Sequence, residues 1–205
     1  MSLDPPADRR RRRTHTAVLD AADRLFTRDG YRSTSVDALA NEADVALSSI
    51  YANFPGGKAD VYAALACRTA TEHADGMREA LTGMTAGTNR LLAGFDAYVA
   101  FHRSRPLAFR ILGLTDVDDR DSEVVALART RIDATLIGII RELVSAIGST
   151  VPDPDELVLL AWATVNGVLS LEGRRTISRA GADSLIAMAR ADAVRRLEDF
   201  GDAGR

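Results

Sequence analysis

Apolar residues in this chain recur three and four positions apart almost from end to end, and no Val/Ile/Thr-rich stretch alternates apolar with polar residues between turn signals. Without strands the chain has one way to bury its hydrophobic stripes, helix on helix, so an all-α fold of about nine helices is expected. With 205 residues, 46% of them hydrophobic, it can fill a core in one or two small domains without staples. The single cysteine, Cys67, allows no intramolecular disulfide. The longest unbroken apolar run, Leu157 to Ala163, is far short of the roughly 20 residues of a membrane helix. No charged-then-apolar leader opens the sequence, so a cytoplasmic location is expected. Net charge is -3, which by itself argues against nucleic acid, yet Arg9 to Arg13 are five consecutive arginines.

The first helix is read as Thr14–Arg28, with Val18, Ala22, Leu25 and Phe26 on one face and Gly30 where a left-handed C-terminal cap is needed. Thr34 opens the second, about Thr34–Ala43, its hydroxyl set to accept the amide of Asp37 as in a capping box. The third, Leu47–Asn53, is closed by the breaker Phe54-Pro55-Gly56-Gly57, and a long helix begins near Lys58. Farther on, Gly83 and Gly87 flank a loop, and Pro106 fits the first turn of a helix that follows Tyr98–Ser104. The acidic stretch Asp116 to Asp121 forms a loop and caps the helix after it. Ile132, Leu136, Ile139, Leu143 and Ile147 stripe that helix, which Gly148 and the Pro152-Asp153-Pro154 turn bring to an end. Asp155–Glu172 is apolar nearly all round, and Ala182–Phe200 carries a matching stripe, so these last two helices are expected to pair between chains. Leu160, Val168, Ile186, Ala189, Ala193 and Leu197 are the residues expected at that interface.

Val36 to Phe54 has the spacing of a helix-turn-helix: Ala40 is small enough for a close crossing, and Val45 and Ile50 fill the angle between the helices. Asp44 occupies the turn, a residue that tolerates the left-handed conformation. Leu47, Ser48, Ser49, Tyr51, Ala52 and Asn53 lie on the exposed side of the second helix. Their hydroxyls and amide suit phosphate oxygens, and Leu47 and Ala52 suit thymine methyls. Three ordinary packed helices would show the same pattern about as often, and a charge run is usually only solvated. The arginine run just ahead of the motif, with Arg11, Arg12 and Arg13 nearest to it, tips the reading towards DNA, since an arm of this kind enters the minor groove.

These residues resemble the TetR family. Val18 to Phe26, Gly30-Tyr31, Thr34-Ser35-Val36, Leu39-Ala40, Ala43, Val45, Ile50-Tyr51, Phe54 and Lys58 follow its N-terminal pattern over about Thr14 to Leu65. The resemblance implies a three-helix DNA-binding head, a ligand-binding body and a homodimer formed by the last two helices. It further implies that Tyr51 and Lys58 grip phosphates, that Thr34 and Ser35 cap the second helix against the DNA backbone, and that Leu47, Ser48 and Ala52 face bases. The chain departs from the pattern at Asp44 for the turn glycine, at Ala46 for the Ser or Thr cap, at Asn53 for a frequent His, and in one extra loop residue before Lys58. More loosely, Tyr98-x-x-Phe101, Pro106-x-x-Phe109-Arg110 and Trp162-x-x-x-Asn166-Gly167 resemble one subgroup of the family's bodies.

The expected organisation is therefore a flexible basic arm over 1–13, a helix-turn-helix domain over 14–57, and a ligand-binding and dimerisation domain over 58–201. Phe101, His102, Phe109, Arg110, Trp162 and Asn166 are the candidate pocket residues, as aromatic and polar groups amid apolar helices. Internal hydrogen bonding is the competing reading of the polar ones. His15, His73 and His102 have no metal-ligand spacing and no triad signature accompanies them, so no enzyme, metal or cofactor is expected. The function implied is that of a repressor that holds a palindromic double-stranded operator as a homodimer and is released by a small, mostly apolar effector. A helical small-molecule-binding protein or enzyme with a vestigial head, and a sequence-nonspecific DNA-coating protein, are the two rival classes.

Overall fold

The computed structural model describes residues 3–147 and 153–203. Among these residues lie nine helices and no strand: α1 (Arg9–Asp29), α2 (Val36–Glu42), α3 (Leu47–Asn53), α4 (Lys58–Leu81), α5 (Thr88–Ser104), α6 (Ala108–Leu112), α7 (Glu123–Ile147), α8 (Pro154–Gly173) and α9 (Arg179–Ala203). The turn expected at Gly148 to Pro152 and the side chain of Phe200 lie outside the described residues. Packing divides the chain into two compact units, Met1–Thr71 with Leu107–Ala134, and Glu72–Pro106 with Thr135–Arg205. Helices α4 and α7 each contribute residues to both units, with the breaks after Thr71 and Ala134.

Several boundaries move, for local reasons. α1 begins at Arg9 rather than Thr14, because Asp8 takes an extended conformation and its carboxylate accepts the Arg11 amide at 2.8 Å. The arginines expected in a flexible arm are therefore helical. α5 starts ten residues ahead of Tyr98, at Thr88, and Pro106 stands before α6 instead of inside its first turn. In the first unit, α1 packs on α2 and α3, and Val18, Leu25, Phe26, Leu39, Ile50 and Phe54 fill the space between them. Full burial of each such side chain contributes about 1.5–3 kcal/mol. Tyr62 of α4, also buried, shares its one hydroxyl proton between two acceptors, the Arg110 carbonyl and the Asp116 carboxylate, each 3.0 Å away. In the second unit, α8 and α9 pack on each other and both on α5, around Leu91, Ile147, Leu157, Val158, Ala193 and Leu197.

Candidate functional site

Three short segments build the helix-turn-helix. α2 ends in a six-residue cap in which the Val45 amide donates to the Ala40 carbonyl at 3.0 Å and the Asp44 amide to Asn41 at 3.2 Å. That cap needs a left-handed residue, and Asp44 supplies it with φ 51°. α3 then starts at Leu47 with Ala46 as a cap residue that offers no side-chain bond, and the Ser49 amide donates to the Ala46 carbonyl at 2.9 Å. Ile50, wholly buried, anchors α3 to the head, while Leu47, Ser48, Tyr51 and Ala52 face outward, Leu47 38% and Tyr51 47% exposed. Asn53 turns away from that face: its amide nitrogen donates to the Ser49 carbonyl at 2.8 Å. Ser49 is half-buried beside it.

Thr34, expected to open and cap α2, lies instead in the turn before it. It is 3% exposed, and its hydroxyl donates to the Gly30 carbonyl at 2.9 Å, closing the α1–α2 turn. Ser35 caps α2 in its place, accepting the Ala38 amide at 3.0 Å from an exposed position. Lys58 is held inward too. Its ammonium donates to the Tyr31 carbonyl at 2.8 Å and the Thr34 carbonyl at 2.7 Å and lies 4.3 Å from the centre of the Tyr31 ring, while burial lowers its pKa. The longer loop before it folds down onto Asp60, whose buried carboxylate accepts the Gly56 amide at 2.7 Å, and no side chain would fit at Gly56 against that carboxylate. Lys58 thus closes the head from within as a structural cation.

The arginine run puts five cations at the positive end of α1, an arrangement that opposes the helix dipole and that Asp8 only partly offsets. Arg11 is occupied: it reaches the Ala52 carbonyl at 2.8 Å, at the negative end of α3. Arg9, Arg10, Arg12 and Arg13 are exposed on α1. The lead-in before them is tied by an ion pair of Asp4 with Arg131 at 2.6 Å.

The second unit contains an apolar cavity of about 50 Å³ that is partly open to solvent. Leu91, Phe95, Ile139, Leu143, Val158 and Trp162 are among its walls, and among the described residues no Asp, Glu, Lys or Arg lines it. A Cβ on Gly94 would push aside the end of the Leu143 side chain, so glycine here leaves Leu143 its place in the wall. Tyr98 spends its hydroxyl on protein partners, donating to the Asn166 side-chain oxygen and accepting the Trp162 indole N–H at 3.1 Å. Beside it a ring cluster forms: His73 stands 4.4 Å from Phe101, 5.3 Å from Tyr98 and 5.4 Å from His102. Burial pushes the pKa of His73 down to about 4, and burial with the neighbouring His73 pushes that of His102 to about 3, so both rings are neutral near pH 7.

Of the six expected pocket residues, only Trp162 lines this cavity. His102, Phe101 and Asn166 stand behind its wall. Phe109 and Arg110 belong to the other unit, where Arg110 pairs with Asp116 under the Tyr62 hydroxyl. His73 and Tyr98 were missed as lining residues. His73 and Met77 stand one helical turn apart on α4, and that spacing was the available signal.

Residues 18–65 match the bacterial regulatory proteins of the tetR family, and residues 91–192 match the tetracyclin repressor-like C-terminal domain. The chain belongs to the TetR family. Members of the TetR family are DNA-binding transcription regulators rather than enzymes, and this chain is one such regulator. A TetR-family transcriptional regulator from Streptomyces coelicolor is similar at a TM-score of 0.70 and 18% identity, with 92% of this chain and 96% of that chain covered. A second from the same organism is 26% identical at a TM-score of 0.59, with 91% and 99% covered. A protein of unknown function from Rhodococcus sp. RHA1 has a TM-score of 0.69 and 21% identity, with 89% and 94% covered. The sequence has no match among curated proteins.

In this TetR-family body the residues expected between two copies are mostly in use within one. Val168, Ile186, Ala193 and Leu197 are buried, and Ala193 and Leu197 share a cluster with Leu91 and Leu157. Helical periodicity shows that a stripe is apolar but not whether its partner lies in the same chain. The apolar side chains that α8 and α9 leave in the open are Leu159, Leu160, Leu185 and Met188, 39–65% exposed. Of the expected six, Leu160 is on that outer surface and Ala189 is half-buried. No helix of the described residues is long and apolar enough to cross a membrane, and no three metal-ligating side chains gather among them.

Proposed function

We propose that the protein is a homodimeric repressor that holds a palindromic operator through α3 and releases it when a small, mostly apolar molecule occupies the cavity of the second unit. The observation that carries the reading is the pairing, in one chain, of an outward apolar and hydroxyl face on α3 with a charge-free cavity in a separate unit. Leu47, Ser48 and Ala52 face bases, and Tyr51 and Ser35 contact phosphates. Arg9, Arg10, Arg12 and Arg13 add attraction to phosphates from the side of a helix, and not as an extended arm in the minor groove. Arg11, Thr34, Ser49, Asn53 and Lys58 support the head from within.

Dimerisation uses Leu159, Leu160, Leu185 and Met188, an exposed apolar set on two adjacent helices, and brings two copies of α3 to half-sites one helical turn apart. The effector acts by linkage, lowering operator affinity by its differential affinity for the two states of the dimer. Such a regulator works in the cytoplasm, where its operator is. The test is an electrophoretic shift against the DNA upstream of its own gene and against a scrambled duplex, at moderate salt. Preference for the upstream DNA is expected, with Tyr51→Phe weakening all sequences alike and Leu47→Ala changing the preference. Equal affinity for scrambled DNA would favour a coating protein, and no binding at all would favour a body with a vestigial head. In sedimentation, Leu160→Glu with Met188→Glu gives a monomer that has lost the palindrome.

A further inference from the structure

Among the described residues that line the cavity, His73 has a polar atom without a partner. Tyr98 is committed to Trp162 and Asn166, and apart from His73 the rest of the described lining is aliphatic, methionine, phenylalanine or glycine. His73 also lines the cavity, is 2% exposed, and its Nδ1 is sealed from solvent with no hydrogen-bond partner. A buried polar nitrogen left unbonded is destabilising by about 1–3 kcal/mol, so the site gains when a ligand supplies the missing partner.

We propose that His73 is the polar anchor of this cavity and that its ligand class is an uncharged, largely aliphatic alcohol. The inference rests on the reading of the cavity as the effector site and adds the chemistry of the effector. Charge is excluded because no cationic or anionic side chain among the described residues lines the walls: Arg78, next to the lining residue Met77 on α4, is spent on Glu142 at 2.9 Å and Asp75 at 3.3 Å on the surface. A carboxylate would enter without a counter-ion, which low-dielectric surroundings penalise heavily. A hydroxyl suits the imidazole in either neutral tautomer, since it donates to a bare nitrogen and accepts from a protonated one. An alkyl chain then meets Leu91, Ile139, Leu143, Val158 and Val165. The histidine stays neutral near pH 7, so it offers no charge to attract an acid.

Trp162 is the chain's single tryptophan and stands in the cavity wall, so its fluorescence reports occupancy directly. The experiment titrates the full-length protein at pH 7 with 1-octanol and with octanoate, and repeats both with His73→Leu and with the cavity-filling variant Ala161→Phe. Wild type is expected to bind 1-octanol at least tenfold more tightly than octanoate. His73→Leu should weaken 1-octanol about tenfold while the Trp162 signal still saturates, and Ala161→Phe should abolish the response with the helical circular dichroism unchanged. The proposal is overturned if octanoate binds as tightly as 1-octanol, if His73→Leu binds 1-octanol as wild type does, or if neither probe alters the fluorescence of wild type. Operator affinity is measured in parallel. If 1-octanol binds with the expected His73 dependence but leaves operator affinity unchanged, the ligand assignment stands and the effector-release reading falls.

Discussion

Acidification from pH 7 to pH 5 removes stability from the second unit through two buried histidines. His73 and His102 are 2% and 6% exposed in a cluster with Tyr98 and Phe101, and an Arg105–Glu72 ion pair at 2.7 Å stands beside them. Their values are pushed by burial to about 4 and about 3, against an ordinary 6.5 in the unfolded chain. At pH 5 the unfolded histidines carry protons and the folded ones do not, so the unfolded state binds more protons and stability falls as the pH falls. The loss begins near pH 6.5 and stops growing only once the pH drops below the folded values. Because both folded values lie below 5, the loss at pH 5 is set by the unfolded chain: about 2 kcal/mol for each ring between pH 7 and 5, about 4 kcal/mol together. His15, lowered mainly by its burial, acts in the same direction. Asp29 and Asp192, held low by neighbouring arginines, respond at more acid pH and stay out of this window. Urea denaturation followed by circular dichroism at the two pH values measures the difference. In the double variant His73→Leu/His102→Phe, most of it should vanish. A wild-type difference under about 1 kcal/mol, or an undiminished one in the double variant, would refute the assignment to these rings.

Three further substitutions test the head. Asp44→Gly should raise stability by about 1 kcal/mol, because φ 51° strains a residue with a Cβ and suits glycine, as a shift of the urea midpoint would show. Ala46→Ser should add about 1 kcal/mol by giving α3 the side-chain cap it lacks, and a smaller gain would mean that the first turn is already satisfied by other donors. Lys58→Met should destabilise the head by about 2 kcal/mol, since it removes two charge-assisted bonds to the Tyr31 and Thr34 carbonyls, and thermal unfolding checks it; an unchanged melting temperature would show that the lysine is not a structural cation.

What the sequence made legible was whatever local chemistry decides. Asp44 in the left-handed turn, Ala46 without a cap and the Phe54-Pro55-Gly56-Gly57 break are each settled within five residues of chain, and each is found where the spacing put it. The misreadings share a different cause, competition between partners distant in sequence. Lys58 has the right place for a phosphate contact, yet two carbonyls 24 and 27 residues earlier hold its ammonium. Five arginines suggest a solvated arm until a single Asp8 carboxylate turns them into the start of a helix. The stripe on α9 is as apolar as a dimer seam should be, and Leu91, far away in α5, claims part of it. The same reasoning explains why His73 was passed over. A lone histidine with no metal spacing is ordinarily a satisfied core residue, and only the packing of α4 against α5 brings this ring among Tyr98, Phe101 and His102. Its importance lies in bonds made by Tyr98, Trp162 and Asn166 to one another, while the Nδ1 of His73, a residue lining the same cavity, has no partner.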